Sequence, residues 1–229
     1  MAVGAGKPDL IINGVSNAGG GEYSSVKVDG VGTVNGDVSA VTFDANGVTK
    51  VRGNLVAEEI DCDGIMKVKG DLIAGRSVVD GNIKIEGAVK GDRLSVNGIL
   101  NVGKECELET LEMEGAFNIG GFLNAGQLNV RLHGKGRAQD IGVESIKVRQ
   151  ASKSKWNILW RWMLPRFSPE LETNSIEGDE IDLEYTEANV VRGSRVFIGK
   201  GCVIGTVEYR TELKVHPGAK IGKEVKTGG

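Results

Sequence analysis

One spacing governs this sequence. Val34-Asn35-Gly36 recurs as Val51-Arg52-Gly53, Val68-Lys69-Gly70 and Ile85-Glu86-Gly87, then more loosely as Val102-Gly103-Lys104 and Ile119-Gly120-Gly121, at a step of 17 residues. A second mark keeps the same step: Asp29-Gly30, Asn46-Gly47, Asp63-Gly64, Asp80-Gly81, Asn97-Gly98 and Glu114-Gly115. No residue is inserted or lost across these turns. A hairpin meander has no need of constant length. A coil does, because each residue must sit above its equivalent one turn earlier.

The columns assign the positions. Val38, Leu55, Leu72, Val89, Cys106 and Leu123 are one apolar column. Val28, Ala45, Cys62, Val79, Val96, Met113 and Val130 are another. Val26, Phe43, Ile60, Leu94, Leu111 and Leu128 are a third, with Ser77 as its exception. Between them apolar and polar residues alternate, which is the period of a strand. The Asp/Asn-Gly pairs accept positive φ and mark corners. The expectation is an all-β chain: a parallel β-helix (β-solenoid) whose 17-residue turns hold three short strands each.

The expected organisation is a flexible Gly-rich tail over 1–25, solenoid turns over 26–150, an insertion over 151–175, further turns over 176–222 and a tail over 223–229. Composition agrees with a repeat: 35 Gly, 4 Pro, aromatics at 5% and hydrophobic residues at 40%. A net charge of −3 does not point to nucleic acid. No apolar run reaches the ~20 residues that span a bilayer, and no signal peptide is visible. Three widely spaced cysteines, Cys62, Cys106 and Cys202, suit a reducing cytoplasm better than a disulfide framework.

The Gly-marked turns resemble the bactofilins, bacterial polymer-forming cytoskeletal proteins. So does the C-terminal run of Ile176-Glu177-Gly178-Asp179-Glu180-Ile181, Val191-Arg192-Gly193, Ile198-Gly199-Lys200-Gly201-Cys202-Val203-Ile204 and Val207-Glu208-Tyr209. The likeness covers about residues 26–222 and looks like a subgroup with an insertion within the solenoid. It implies a right-handed helix of triangular section and nucleotide-independent assembly into non-polar filaments. It also implies a scaffold in cell shape, polarity, envelope growth or motility, often on the inner membrane.

Elementary chemistry gives a reason for assembly. Each end of a β-helix is a layer of unpaired N–H and C=O groups, a template for another chain. Solenoids that stay monomeric need polar caps, and no capping helix is legible at either end. The candidate polymerisation contacts are Val26, Val28 and Val34 at one end and Val207, Leu213 and Val215 at the other. The expected partner is a second copy, with a paralogue as an option and no nucleotide.

The insertion holds all three tryptophans. Read as a helix, Trp156, Leu159, Trp160 and Met163 share a face, flanked by Lys153, Lys155, Arg161 and Arg166, with Trp162 and Phe167 nearby and Pro165 ending it. Trp with Lys and Arg on a short amphipathic segment suits a membrane surface. Packing on the solenoid flank and a protein contact are the alternatives.

Chemistry of other kinds finds little support. Cys62 and Cys106 fall in buried columns, and Cys202 sits in an alternating run. Two histidines, His133 and His216, cannot form a three-His zinc site. A hexapeptide-type acyltransferase would need only one of them, but the step is 17 residues rather than three sixes. Lys50, Lys67 and Lys84 stack outward, with Arg52 and Lys69 beside them: a solvated face, or a track for an anionic polymer or lipid. Glu58 with Glu59, and Asp61 with Asp63, need no chemistry of their own. The reading is therefore a non-catalytic, cofactor-free and metal-free scaffold that polymerises. A monomeric binding module is the alternative, and an enzyme ranks last.

Overall fold

The structure, a computed structural model, describes residues 7–151 and 170–228. It is a parallel β-solenoid of about ten turns, all-β among the described residues. The chain divides into two compact units, Met1–Thr110 and Leu111–Gly229. Its strands are β1 (Leu10–Val51), β2 (Leu55–Val68), β3 (Leu72–Ile85), β4 (Val89–Val102), β5 (Cys106–Ile119), β6 (Phe122–Arg137), β7 (Asp140–Gln150), β8 (Leu171–Leu183), β9 (Thr186–Ile198), β10 (Val203–Val215) and β11 (Lys220–Lys226).

In the first unit the predicted register is the observed one. Val38 pairs with Leu55, Leu55 with Leu72 and Leu72 with Val89, all in parallel. From β2 to β5 a turn is a single bent strand of 14 residues rather than three separate ones. It bends at its Gly corners and breaks once, after the Val51, Val68, Ile85 and Val102 column. The inward columns form the core, with Leu55, Cys62, Met66 and Val68 all fully buried at one level. Thr49 heads the column that continues as Met66, Ile83 and Leu100. Its hydroxyl is buried with no hydrogen-bond partner among the described residues.

Two glycine columns make this stacking possible. Gly47, Gly64, Gly81 and Gly98 have φ between 120° and 145°, a region closed to most side chains. A Cβ on Gly81 would also lie 2.1 Å from the carbonyl oxygen of Gly64. The second column, Gly53, Gly70 and Gly87, makes room for side chains instead. Asp37 Oδ1 accepts the N–H of Asn54 at 2.7 Å, Asn54 Oδ1 that of Asp71 at 2.8 Å, and Asp71 Oδ1 that of Ala88 at 2.8 Å. A Cβ at Gly53, Gly70 or Gly87 would fall 2.1–2.3 Å from those same oxygens. The ladder occupies the one break in each turn, where strand pairing would leave amide donors unmet.

The first strand corrects an expected boundary. β1 begins at Leu10, inside the segment expected to be a tail. Ser24 N–H donates to Pro8 O at 2.9 Å, and Ser25 Oγ to Asp9 Oδ1 at 2.7 Å, a separation of 16 residues. The Gly corners extend to Gly14, which lies under Gly30. This coil is one residue short of the main period, and Ile12 is its buried aliphatic.

In the second unit the step varies. Phe122 pairs with Asp140, 18 residues on, and Leu171 with Thr186, 15 on. Val203 pairs with Lys220, and a bulge between Tyr209 and Glu212 shifts β10 against β9. β7 follows β6 as far as Leu132 opposite Gln150, and Gly136 then pairs with Leu171. Ala151 N–H donates to Leu132 O at 2.9 Å, and Gly136 N–H donates to Glu170 O at 2.9 Å, which sets Glu170 beside the corner of Gly134 and Lys135. The regular coil resumes at Leu171, five residues before the expected Ile176. It also runs to Lys226, past the expected end at 222.

Candidate assembly interface

The expected contact residues do not all reach an open edge. Val26, Val28 and Val34 are buried, because the coil starting at Leu10 lies beyond them. Val207 is likewise fully buried, since it pairs with Glu224 of β11. Leu213 and Val215 differ. β11 covers β10 only as far as Tyr209, and Val215 is 41% exposed. Leu213 is half-buried, and so are Ile221 and Val225 of β11. β11 stands last in the sheet, so its outer edge has no partner strand among the described residues. At the other end of the strand order, Ile11 and Val15 are exposed on the first coil. The apolar residues left beside an open edge are thus Leu213, Val215, Ile221 and Val225 in the second unit.

The insertion candidates Lys153, Lys155, Trp156, Leu159, Trp160, Arg161, Trp162, Met163, Arg166 and Phe167 lie outside the described residues. What borders them is an ionic clamp. Lys135 Nζ reaches Glu170 Oε1 at 3.0 Å and also contacts Glu172. Arg137 Nε donates to Glu172 Oε2 at 2.7 Å. Hydrogen bonds from Lys135 and then Arg137 pull the Glu172 carboxyl down to about 2. The point where the chain re-enters the coil is therefore tied to the turn beneath it.

The basic column is in register as expected: Lys50 beside Lys67, Lys67 beside Lys84. It is not uniformly basic. Glu86 sits between Lys67 Nζ at 2.9 Å and Lys69 Nζ at 3.0 Å, and those two hydrogen bonds hold its carboxyl at about 2. Glu58 and Glu59 are adjacent on the surface. Both are exposed at a corner, where they line an open groove of about 710 Å³ with Arg76, Asp92 and Arg93. Its charges are mixed and it is open to solvent.

The two histidines are engaged locally. His133 Nε2 lies 3.0 Å from Glu114 Oε1, whose other oxygen accepts from Arg131 Nη1 at 3.1 Å. His216 Nδ1 accepts the Gly218 N–H at 2.9 Å. All three thiols are buried. Burial pushes Cys62 and Cys106 up to about 12, with Asp63 and Asp61 adding to the effect at Cys62. Cys202 is also raised by burial. The thiolate is the reactive form, so a disulfide-exchange reagent is expected to leave the native protein unlabelled and to titrate all three thiols in denaturant. Rapid labelling of any one in the native state would contradict this burial. Among the described residues no three His, Cys, Asp or Glu side chains form a metal-binding group. No helix there is long and apolar enough to cross a membrane.

Asp37, Asn54 and Asp71 are the structural residues that the columns did not single out. Their signal was in the sequence: a Gly-Asp or Gly-Asn pair at 36–37, 53–54 and 70–71, ending at Gly87-Ala88.

No family model matches the chain, and no solved structure matches it. Two proteins of Bacillus subtilis strain 168 are similar, YhbF and YhbE, both described as uncharacterized. Each is 36% identical over 107 residues, which is 46% of this chain and 42% and 43% of the respective relative. The matched stretch thus spans about two fifths of either relative's length.

Proposed function

We propose that this chain is a structural protein of bactofilin type, which assembles end to end without nucleotide into non-polar filaments beside a membrane. The observation that carries the reading is the open edge of the second unit. There β11 offers unpaired backbone groups, and Val215 is exposed and Leu213, Ile221 and Val225 half-exposed around it. A solenoid edge of that kind gains from pairing with another copy. The engaged histidines and buried thiols support a non-catalytic role. A pelleting assay tests assembly: the protein should sediment equally with and without nucleotide, above a threshold concentration.

One observation favours a second reading, a monomeric binding module. β11 carries Lys220, Lys223 and Lys226, and edge lysines are a common guard against strand pairing. Protein that stays in the supernatant at all salt concentrations would support that reading.

The Trp-rich segment is the proposed membrane contact. Gly136 pairs with Leu171, and removing residues 152–169 from that step leaves a turn of ordinary length. The deletion is therefore expected to keep the fold, read by its unfolding midpoint, and to abolish binding to anionic liposomes. Binding that survives it would place the contact elsewhere.

A further inference from the structure

A second surface, on the flank of the first unit, carries a pattern that neither the core nor end-to-end assembly uses. Directly after four corner glycines of the first unit, Gly30, Gly47, Gly64 and Gly98, stands an outward aliphatic: Val31, Val48, Ile65 and Ile99. Each is 43–50% exposed. Val48, Ile65, Asn82 and Ile99 are consecutive register partners, so these side chains form a continuous column broken only by Asn82. Contiguous exposed apolar surface of this kind marks an interaction site more often than scattered single residues do.

The flanks differ in charge. On one side, before the glycine, runs the column Asp29, Asn46, Asp63, Asp80, Asn97. Asn46 donates to Asp29 Oδ1 at 3.2 Å and Asn97 to Asp80 Oδ1 at 3.0 Å, so amides relieve part of the repulsion between carboxylates. On the other side runs Lys50, Lys67, Lys84. Lys67 is held by Glu86, while Lys50 and Lys84 form no ion pair among the described residues. The Asn46, Asp63 and Asn97 levels thus present an acid or amide, an aliphatic, and a base or amide, in that order, and the Asp80 level the same charges around Asn82.

We propose that this strip is a lateral, isologous contact with a second copy of the chain, the two copies running in the same direction. Symmetry and charge together select that arrangement. A two-fold axis parallel to the column exchanges left and right but keeps height. Asp80 of one copy then meets Lys84 of the other, and Ile99 meets Ile99. A two-fold axis across the column would set lysine against lysine and aspartate against aspartate. Complementary charge fixes register in such contacts. An anionic membrane fits the strip less well, because the Asp column would face it.

Four steps of about 4.8 Å separate Val31 from Ile99, so the strip covers only some 400 Å² per copy, about half of a standard interface. A single pair is weak, and the contact gains when copies are held in a row. It does not require end-to-end stacking.

The buried native thiols make the test clean. Ile99→Cys and Val31→Cys proteins, each alone, would be treated with a short bis-maleimide linker at high protein concentration. Each is expected to give a crosslinked dimer. Lys84→Glu and Asp80→Lys should each lower the Ile99→Cys dimer yield at least tenfold, and the double exchange in one chain should restore it to within about twofold. The unfolding midpoint of each variant checks the fold. Dimers that form only when Val31→Cys and Ile99→Cys proteins are mixed would mean opposed copies and overturn the proposal. So would a yield indifferent to the charge exchange, or no dimer at all. Anionic vesicle binding lost in Lys84→Glu without any crosslink would overturn it in favour of a membrane. Single filaments without the crosslink would leave end-to-end assembly standing and this contact refuted. The crosslink without filaments would do the reverse.

Discussion

Replacing Gly81 by valine is expected to destabilise the first unit by about 3–5 kcal/mol, the range of severe core and backbone lesions. Two costs combine. Gly81 has a φ of 140°, where a β-branched residue is strained. Its new Cβ would also lie 2.1 Å from the Gly64 carbonyl oxygen, a backbone atom that cannot swing aside as a side chain would. The neighbouring position supplies the control. Asn82 is exposed and stands in the column of Ile65 and Ile99, so Asn82→Ile should change stability by no more than about 0.5 kcal/mol, as surface substitutions do. Equilibrium denaturation of both variants checks the pair. A solenoid is held by contacts between neighbouring turns, so the damage at Gly81 should also release amide protons in the turns above and below it. Near-equal midpoints for the two variants would mean that the corner column is not what sets the stacking.

The second large effect is expected at the open edge. Leu213→Lys with Val215→Lys should abolish filaments at concentrations where the parent chain assembles. Burying an aliphatic side chain contributes about 1.5 kcal/mol at the low end. In a non-polar filament the same edge of two copies meets, so each contact loses four such side chains; each is already about half-buried, and four half-burials give about 3 kcal/mol, or roughly a 100-fold rise in the threshold concentration. Because β11 stops opposite Tyr209, neither residue lies beneath a following coil, and the variant's unfolding midpoint should stay near that of the parent. Loss of fold together with loss of assembly would reassign these residues to the core. Unchanged assembly would show that the edge is not the contact.

The reach of the sequence reading follows the regularity of the coil. Between Val38 and Val102 every turn has the same length, so a column in the sequence is a column in space. The burial of Leu55, Cys62 and Val79 could be read directly. The first coil escaped because it is one residue shorter and has Ile12 as its buried aliphatic; with so little apolar signal, its glycines read as a loose tail. That single miss carried Val26, Val28 and Val34 from the core to an imagined end. Val207 went the same way, because the turns were expected to end at 222 with a tail after them; β11 runs on to Lys226, setting Ile221 over Ile204 and Glu224 over Val207. The return at Leu171 was hidden by the insertion, which turns a step of one coil into a pairing of Gly136 with Leu171. The outward aliphatic column keeps the main period too, but an apolar column by itself signals burial, and only the exposure of Val48, Ile65 and Ile99 separates it from the core.

Negative-stain electron microscopy of the purified chain, without nucleotide and at moderate salt, tests the central claim most directly. Filaments or ribbons are expected, lost in the Leu213→Lys, Val215→Lys variant. A uniform field of single particles across a wide range of salt and protein concentration would contradict it and leave the monomeric binding module as the better description.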